Sequence, residues 1–223
     1  GQIQFILVMV ATGLSAGLVL RAAQYWGEND VQSLKILHGA ALRISASFGI
    51  VFTIGAMFFP ELLMKIFTNE EPLIKEGARY LRAVSLSYLF FSISQIFQAG
   101  FKSIERVKSV TIITTVALLL NIGLNAVFIF GFKMGIIGVG IATTIARFIE
   151  MVLCIIYART QKDVSFKISN IFTFNKVLNI DFIKFSLPAL GNELVWGAAF
   201  ATYSVILGHM GEDIVAANSV VKT

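Results

Sequence analysis

At least five stretches of seventeen or more residues carry no Asp, Glu, Lys or Arg. This constrains the fold more than any other feature, because a helix needs about 20 mostly apolar residues to cross a hydrocarbon core. Six segments meet or approach that length: residues 1–20, 44–60, 83–101, 109–132, 136–157 and 185–208. The fifth is interrupted by Arg147 and Glu150, the sixth by Glu193. Of the 223 residues, 57% are hydrophobic and 14% charged, and mean hydropathy is +0.81. A soluble domain carries roughly 25% charged residues. The pattern excludes an ordinary soluble enzyme, a nucleic-acid module and a disordered tail. No long stretch alternates with a period of two, so a barrel does not fit. The expected fold is all-α, a polytopic transmembrane helical bundle.

The net charge of +5 reads as loop bias, with no nucleic-acid partner implied. Eleven Lys and Arg fall in the connections after the first, third and fifth segments, and five in the others. The positive-inside rule therefore sends the first segment from outside to cytoplasm. The first residues carry no basic region and read as a span entered part-way; residues 216–221 read as another span beginning. The single cysteine, Cys154, rules out an internal disulfide. His38 and His209 stand apart from any metal-ligand spacing.

Lys133, Met134 and Gly135 predict a tight turn, and Asn69 to Pro72 another. Residues 159–184 mix Phe166, Ile168, Ile171, Phe172 and Phe174 with Lys167, Asn170, Asn175 and Lys176. Two readings fit equally: an interfacial amphipathic segment, or a plain cytoplasmic linker. Gly13 and Gly17, and later Gly135, Gly138, Gly140 and Ala142, have the spacing that lets helices approach closely in lipid.

Ionisable groups inside spans are the best pointers to function, since each costs on the order of 3 kcal/mol at a helix centre. Glu193 follows Asn192 and lies five residues beyond Pro188. Its carboxylate suits a Na⁺ ligand or a proton carrier, and Pro188 with Gly191 would free nearby carbonyls. An interfacial or structurally paired glutamate is the other reading. Arg147 and Glu150, three apart, share a helix face and read as a self-neutralising structural pair. Asn121 and Asn125 also share a face, with Thr111, Thr114 and Thr115 before them and Thr143 and Thr144 on the next segment. On composition alone, these amides and hydroxyls read first as interhelical hydrogen bonds, and so do Gln95 and Gln98. Trp196 and the Tyr25–Trp26 pair read as interface anchors. There is no nucleophile elbow, phosphate loop or metal set, so an enzyme is not expected and no cofactor is implied. Uphill transport would then draw on an ion gradient.

Several segments together resemble the multidrug and toxic compound extrusion (MATE) family. They are Gly13 to Gly17 leading into Ala23 to Asp30, then Ala78 to Leu81, Asn121 to Asn125 and Gly135 to Thr143. Leu187–Pro188 followed by Gly208 to Gly211 and Ala216–Ala217 complete the series. The resemblance implies helices two to seven of a twelve-helix, two-lobed transporter. Residues 1–158 would be the first lobe without its first helix, 159–184 a cytoplasmic linker, and 185–223 the start of the second lobe. It also implies export of organic, mostly cationic or amphipathic compounds by Na⁺ or H⁺ antiport across the cell inner membrane. The whole protein would be a monomer in the lipid bilayer.

By the same resemblance, Asn121, Asn125 and Thr143 match an ion site of the first lobe, with Asn125 where members carry an acid. Glu193 stands near the place of a seventh-helix acid, and Na⁺ is the metal these residues would take. Asn192, Gln95, Tyr80 and Trp196 are expected to line the substrate cavity. A flippase for lipid-linked saccharides and a non-transporting membrane scaffold are the alternatives. Arg147, alone among basic residues well inside a span, weighs against the first.

Overall fold

The computed structural model describes residues 2–66, 71–161, 163–164 and 166–209. The expected turn at Asn69 and the segments around Gly211 and Ala216–Ala217 lie wholly or partly outside these residues. Among the described residues, seven α-helices follow in order: α1 (Gln2–Gly27), α2 (Val31–Phe58), the short α3 (Pro60–Lys65), α4 (Glu71–Ser103), α5 (Val107–Ala126), α6 (Gly135–Thr160) and α7 (Lys176–His209). A π-helical segment, Val127–Gly131, continues α5, and a single 3₁₀ turn, Ile168–Phe172, lies before α7. Among the described residues, five helices are long and apolar enough to cross a membrane: α1, α2, α4, α5 with its π segment, and α6. The sixth expected span lies within α7. The chain is thus the expected all-α transmembrane bundle.

The helices outrun the charge-free cores of the sequence. α2 begins at Val31, so Lys35 and Arg43, expected in a connection, lie on the helix. α4 likewise takes in Lys75, Arg79 and Arg82, and α7 takes in Lys176 and Lys184. The hydrocarbon core requires apolar side chains but does not end a helix, and beyond it charged side chains are solvated on a continuing helix. What ends α1 is local. Asn29 adopts a left-handed φ of 58°, and the Asp30 side chain accepts from the Ser33 N–H at 3.0 Å to cap α2. That bonding to Ser33 holds the Asp30 carboxyl below its ordinary range. The turn at Lys133 to Gly135 forms as expected, with φ of 52° and 58° at its two ends.

α4 is central, packing on α1, α2, α5 and α6, and α7 lies along α1. The larger core gathers Leu14, Leu18, Leu34, Leu37, Phe97, Phe101, Phe166 and Phe182. A second cluster holds Leu7, Ala56, Leu81, Val84 and Tyr88. Hydroxyls bind helices together: Ser45 donates to the Ser92 carbonyl, Thr53 to Ser85 and Thr144 to Ala83, at 2.9 to 3.0 Å. The three connections counted as cytoplasmic meet at one end. Arg21 pairs with Asp181 at 2.5 Å, Arg43 donates to the Ile171 carbonyl and to Asn179, and Arg106 reaches Asp163 at 3.1 Å.

The segment between α6 and α7 packs in part against the helices. Val164 and Phe166 are fully buried in the main core, whereas Phe172 and Phe174 are exposed. Phe166 stacks on His38, with ring centroids 4.3 Å apart. The exposed aromatics belong to the 3₁₀ turn and the residues just after it.

The first small-residue pair works as its spacing implied. A Cβ on Gly17 would sit 2.5 Å from the Ser186 Cα, and one on Gly13 would sit 2.9 Å from the Leu190 Cα. α1 and α7 therefore touch backbone to backbone. Gly17→Ala is expected to push the helices apart and cost about 1–3 kcal/mol, as overpacking does. Thermal unfolding beside Gly27→Ala, where a Cβ meets nothing within 4 Å, checks it. Equal melting temperatures would refute the contact.

Candidate functional site

A cavity of about 410 Å³ opens between α1, α4, α5 and α6. Its lining is mostly polar in kind: Gln4, Tyr80, Thr114, Asn121, Thr143, Arg147 and Glu150, with Ala117, Leu118 and Ala146. The i, i+4 spacing sets Thr143 and Arg147 on one face of α6, and Ala117 and Asn121 on one face of α5. Ala146 and Ala117 keep the wall shallow enough to leave space between the helices. The volume falls within the range of small-molecule sites, roughly 300–1,000 Å³.

Two polar groups meet here. In the first, Asn125 Nδ2 donates to Asn121 Oδ1 at 3.1 Å, and Asn121 Nδ2 lies 3.5 Å from Thr143 Oγ1. Thr143 Oγ1 donates in turn to the Val139 carbonyl at 2.9 Å. Asn125 Oδ1 is buried with no hydrogen-bond partner among the described residues. The three residues singled out in the sequence therefore form one chain of contacts. All their oxygens are neutral, and most are already engaged with one another.

In the second group, Arg147 Nη1 donates to Glu150 Oε2 at 2.6 Å, and Gln98 Nε2 donates to Glu150 Oε1 at 2.9 Å. The Glu150 side chain is 3% exposed and that of Arg147 34%. The guanidinium also lies over the Phe91 ring, 4.9 Å from its centroid. The ion pair expected from the i, i+3 spacing is present. Beyond the structural role that its spacing implies, both partners line the cavity. Gln98, read as simple glue, holds the second carboxylate oxygen. The signal in the sequence is the intramembrane charge itself, which self-neutralisation of the pair does not fully explain.

The remaining expected residues lie elsewhere. Glu193 is half-buried beside a separate, mostly apolar cavity of about 360 Å³ with Met9, Val10, Phe48, Leu187, Leu190, Gly191 and Leu194. Asn192 and Trp196 are exposed on α7, and Trp196 lies 6.5 Å from the Phe5 ring. Gln95 is half-buried on α4 and does not line the polar cavity. Of the four expected cavity residues, Tyr80 alone is in its wall. α7 runs unbroken through Pro188, which lacks the N–H that would bond one turn back.

Comparison with known proteins gives one consistent result. A family model described as MatE matches residues 1–127. A probable multidrug resistance protein NorM of Mannheimia succiniciproducens is 33% identical over 68% of this chain and 34% of its own length. The multidrug resistance protein NorM of Vibrio cholerae is 25% identical over 96% of this chain and 48% of its own. Among solved structures, the Vibrio cholerae MATE transporter VcmN in its bent form superposes with a TM-score of 0.82. It is 18% identical and covers 98% of this chain and 50% of that one. The chain thus spans half or less of the length of these proteins.

Proposed function

The chain belongs to the MatE family, and on that premise we propose that it supplies the first-lobe helices and the start of the second lobe of a secondary multidrug efflux transporter. Residues 1–158 form the first lobe in this reading, 159–184 join the lobes, and 185–223 open the second. The whole transporter works as a monomer in the cytoplasmic membrane, exchanging Na⁺ or H⁺ for small organic, mostly cationic or amphipathic compounds. It performs no covalent chemistry.

The observation that carries the reading is the polar cavity. Tyr80, Asn121, Thr143, Arg147 and Glu150 converge from three helices long and apolar enough to span a bilayer. Groups so costly to insert mark substrate and ion paths. Asn121, Asn125 and Thr143 offer neutral oxygens and nothing that titrates, so they suit a metal ion better than a proton. Glu193 offers the carboxylate that proton coupling needs. An ion bound at either place would favour one facing state, and its release would open the other to substrate.

The test is flux of a fluorescent organic cation by the whole transporter in liposomes under an imposed Na⁺ or H⁺ gradient. Flux is expected to follow one of the two gradients. Glu193→Gln is expected to lower it by about tenfold or more if that residue couples the ion, within the usual size of such linkage. Unchanged gradient dependence removes Glu193 from the mechanism. No gradient-driven flux in the parent protein refutes the transport reading.

A further inference from the structure

We infer that the first-lobe cavity binds a carboxylate of its ligand through Arg147, so that ligands bearing one carboxylate on an apolar body are preferred there over purely cationic ones. The inference rests on the transport reading and singles out, among its amphipathic substrates, those that carry a carboxylate.

The two charges in the cavity are not equally available. Glu150 has one oxygen taken by Arg147 and the other by Gln98, and its side chain is 3% exposed. Buried to that degree, it offers a cationic ligand almost no open approach. Arg147 presents the opposite case. Its side chain is 34% exposed, one Nη1–H is spent on Glu150, and Phe91 covers one face of the guanidinium. The other donors of the planar fork meet no acceptor among the described residues. A carboxylate is the group whose geometry such a fork matches.

The surroundings set the ligand's character. Among the described residues Glu150 is the only acid in the lining, and it is already paired with Arg147. Arg147 is the only Arg or Lys there among the described residues, so the site accommodates about one negative charge. A phosphate or pyrophosphate would bring more charge than one shared guanidinium can match. The Tyr80 and Thr143 hydroxyls and the Asn121 amide supply neutral hydrogen-bonding partners, while Ala117, Leu118 and Ala146 face the apolar body.

The experiment compares a rhodamine bearing a free carboxylate with its methyl ester, on the whole transporter in lipid, by equilibrium binding and by gradient-driven flux. The carboxylate form is expected to bind about tenfold more tightly or better, the size of a charge-assisted hydrogen bond kept from water. Replacing both charges together, Arg147→Gln with Glu150→Gln, leaves no unpaired buried ion and should bring the ratio to about one. Arg147→Lys, which keeps the charge and loses the fork, should fall between.

The inference is overturned if the parent protein binds the ester as tightly, if the preference survives in the double variant, or if neither probe binds. An acid from the rest of the transporter seated on Arg147 would give the first of these results. Ester flux without carboxylate preference sinks this inference and leaves the transport reading standing. Arg147-dependent binding without gradient-driven flux does the reverse.

Discussion

Arg147→Gln alone is expected to destabilise the protein by about 3 kcal/mol, while Arg147→Gln combined with Glu150→Gln recovers most of that loss. Removing one partner of a buried ion pair costs about 3–5 kcal/mol, because the other charge is left in a low-dielectric place. Here the stranded group would be Glu150, buried and retaining only the Gln98 amide. The partial exposure of Arg147 puts the cost at the lower end, since solvent already screens the pair. Converting Glu150 to Gln removes the stranded charge and leaves amides able to bond one another. Neutral replacements of buried pairs are often tolerated. Thermal unfolding of the solubilised protein measures both variants. Equal destabilisation by the single and double changes would show that the two residues do not depend on each other.

Phe166→Ala carries the second large effect, a loss of about 3–5 kcal/mol, the usual range for truncating a buried Phe. Phe166 is 1% exposed, stacks on His38 and sits 6.1 Å from the Phe101 ring. Its ring edge also comes within 3.2 Å of where a Cβ on Gly100 would lie. Truncation would leave a hole bounded by α2 and α4 and release the segment before α7. Phe172→Ala, only six residues on but 86% exposed, should stay within about 0.5 kcal/mol of the parent. Limited proteolysis across residues 161–175, with thermal unfolding, separates the two. Equal cleavage rates in both variants would mean the segment is not anchored through Phe166.

Those two phenylalanines show where sequence reading runs out. Both are aromatics among polar residues in a stretch without helical period. Which one enters the core depends on how the 3₁₀ turn faces α2, and that is set by Arg43 reaching the Ile171 carbonyl and Asn179 from another helix. Glu193 and Glu150 make the same point about the site. Each interrupts an apolar run, so each stands out as costly. Only the rotation of α6 and α7 about their axes puts Glu150 in the polar cavity and Glu193 beside an apolar one. The chain of contacts through Asn121, Asn125 and Thr143 was more legible, because the i, i+4 spacing fixes two of the three on one face.

The sequence by itself determined the solvent and the class of fold. Charge-free runs of span length leave helices as the way to satisfy the backbone in lipid, and tight turns and small-residue pairs follow from local chemistry. The tertiary structure alone decided which polar groups share a cavity, which charge faces it and which aromatic anchors the connection. Those outcomes depend on how helices distant in sequence rotate and pack against one another, and no local pattern encodes that rotation.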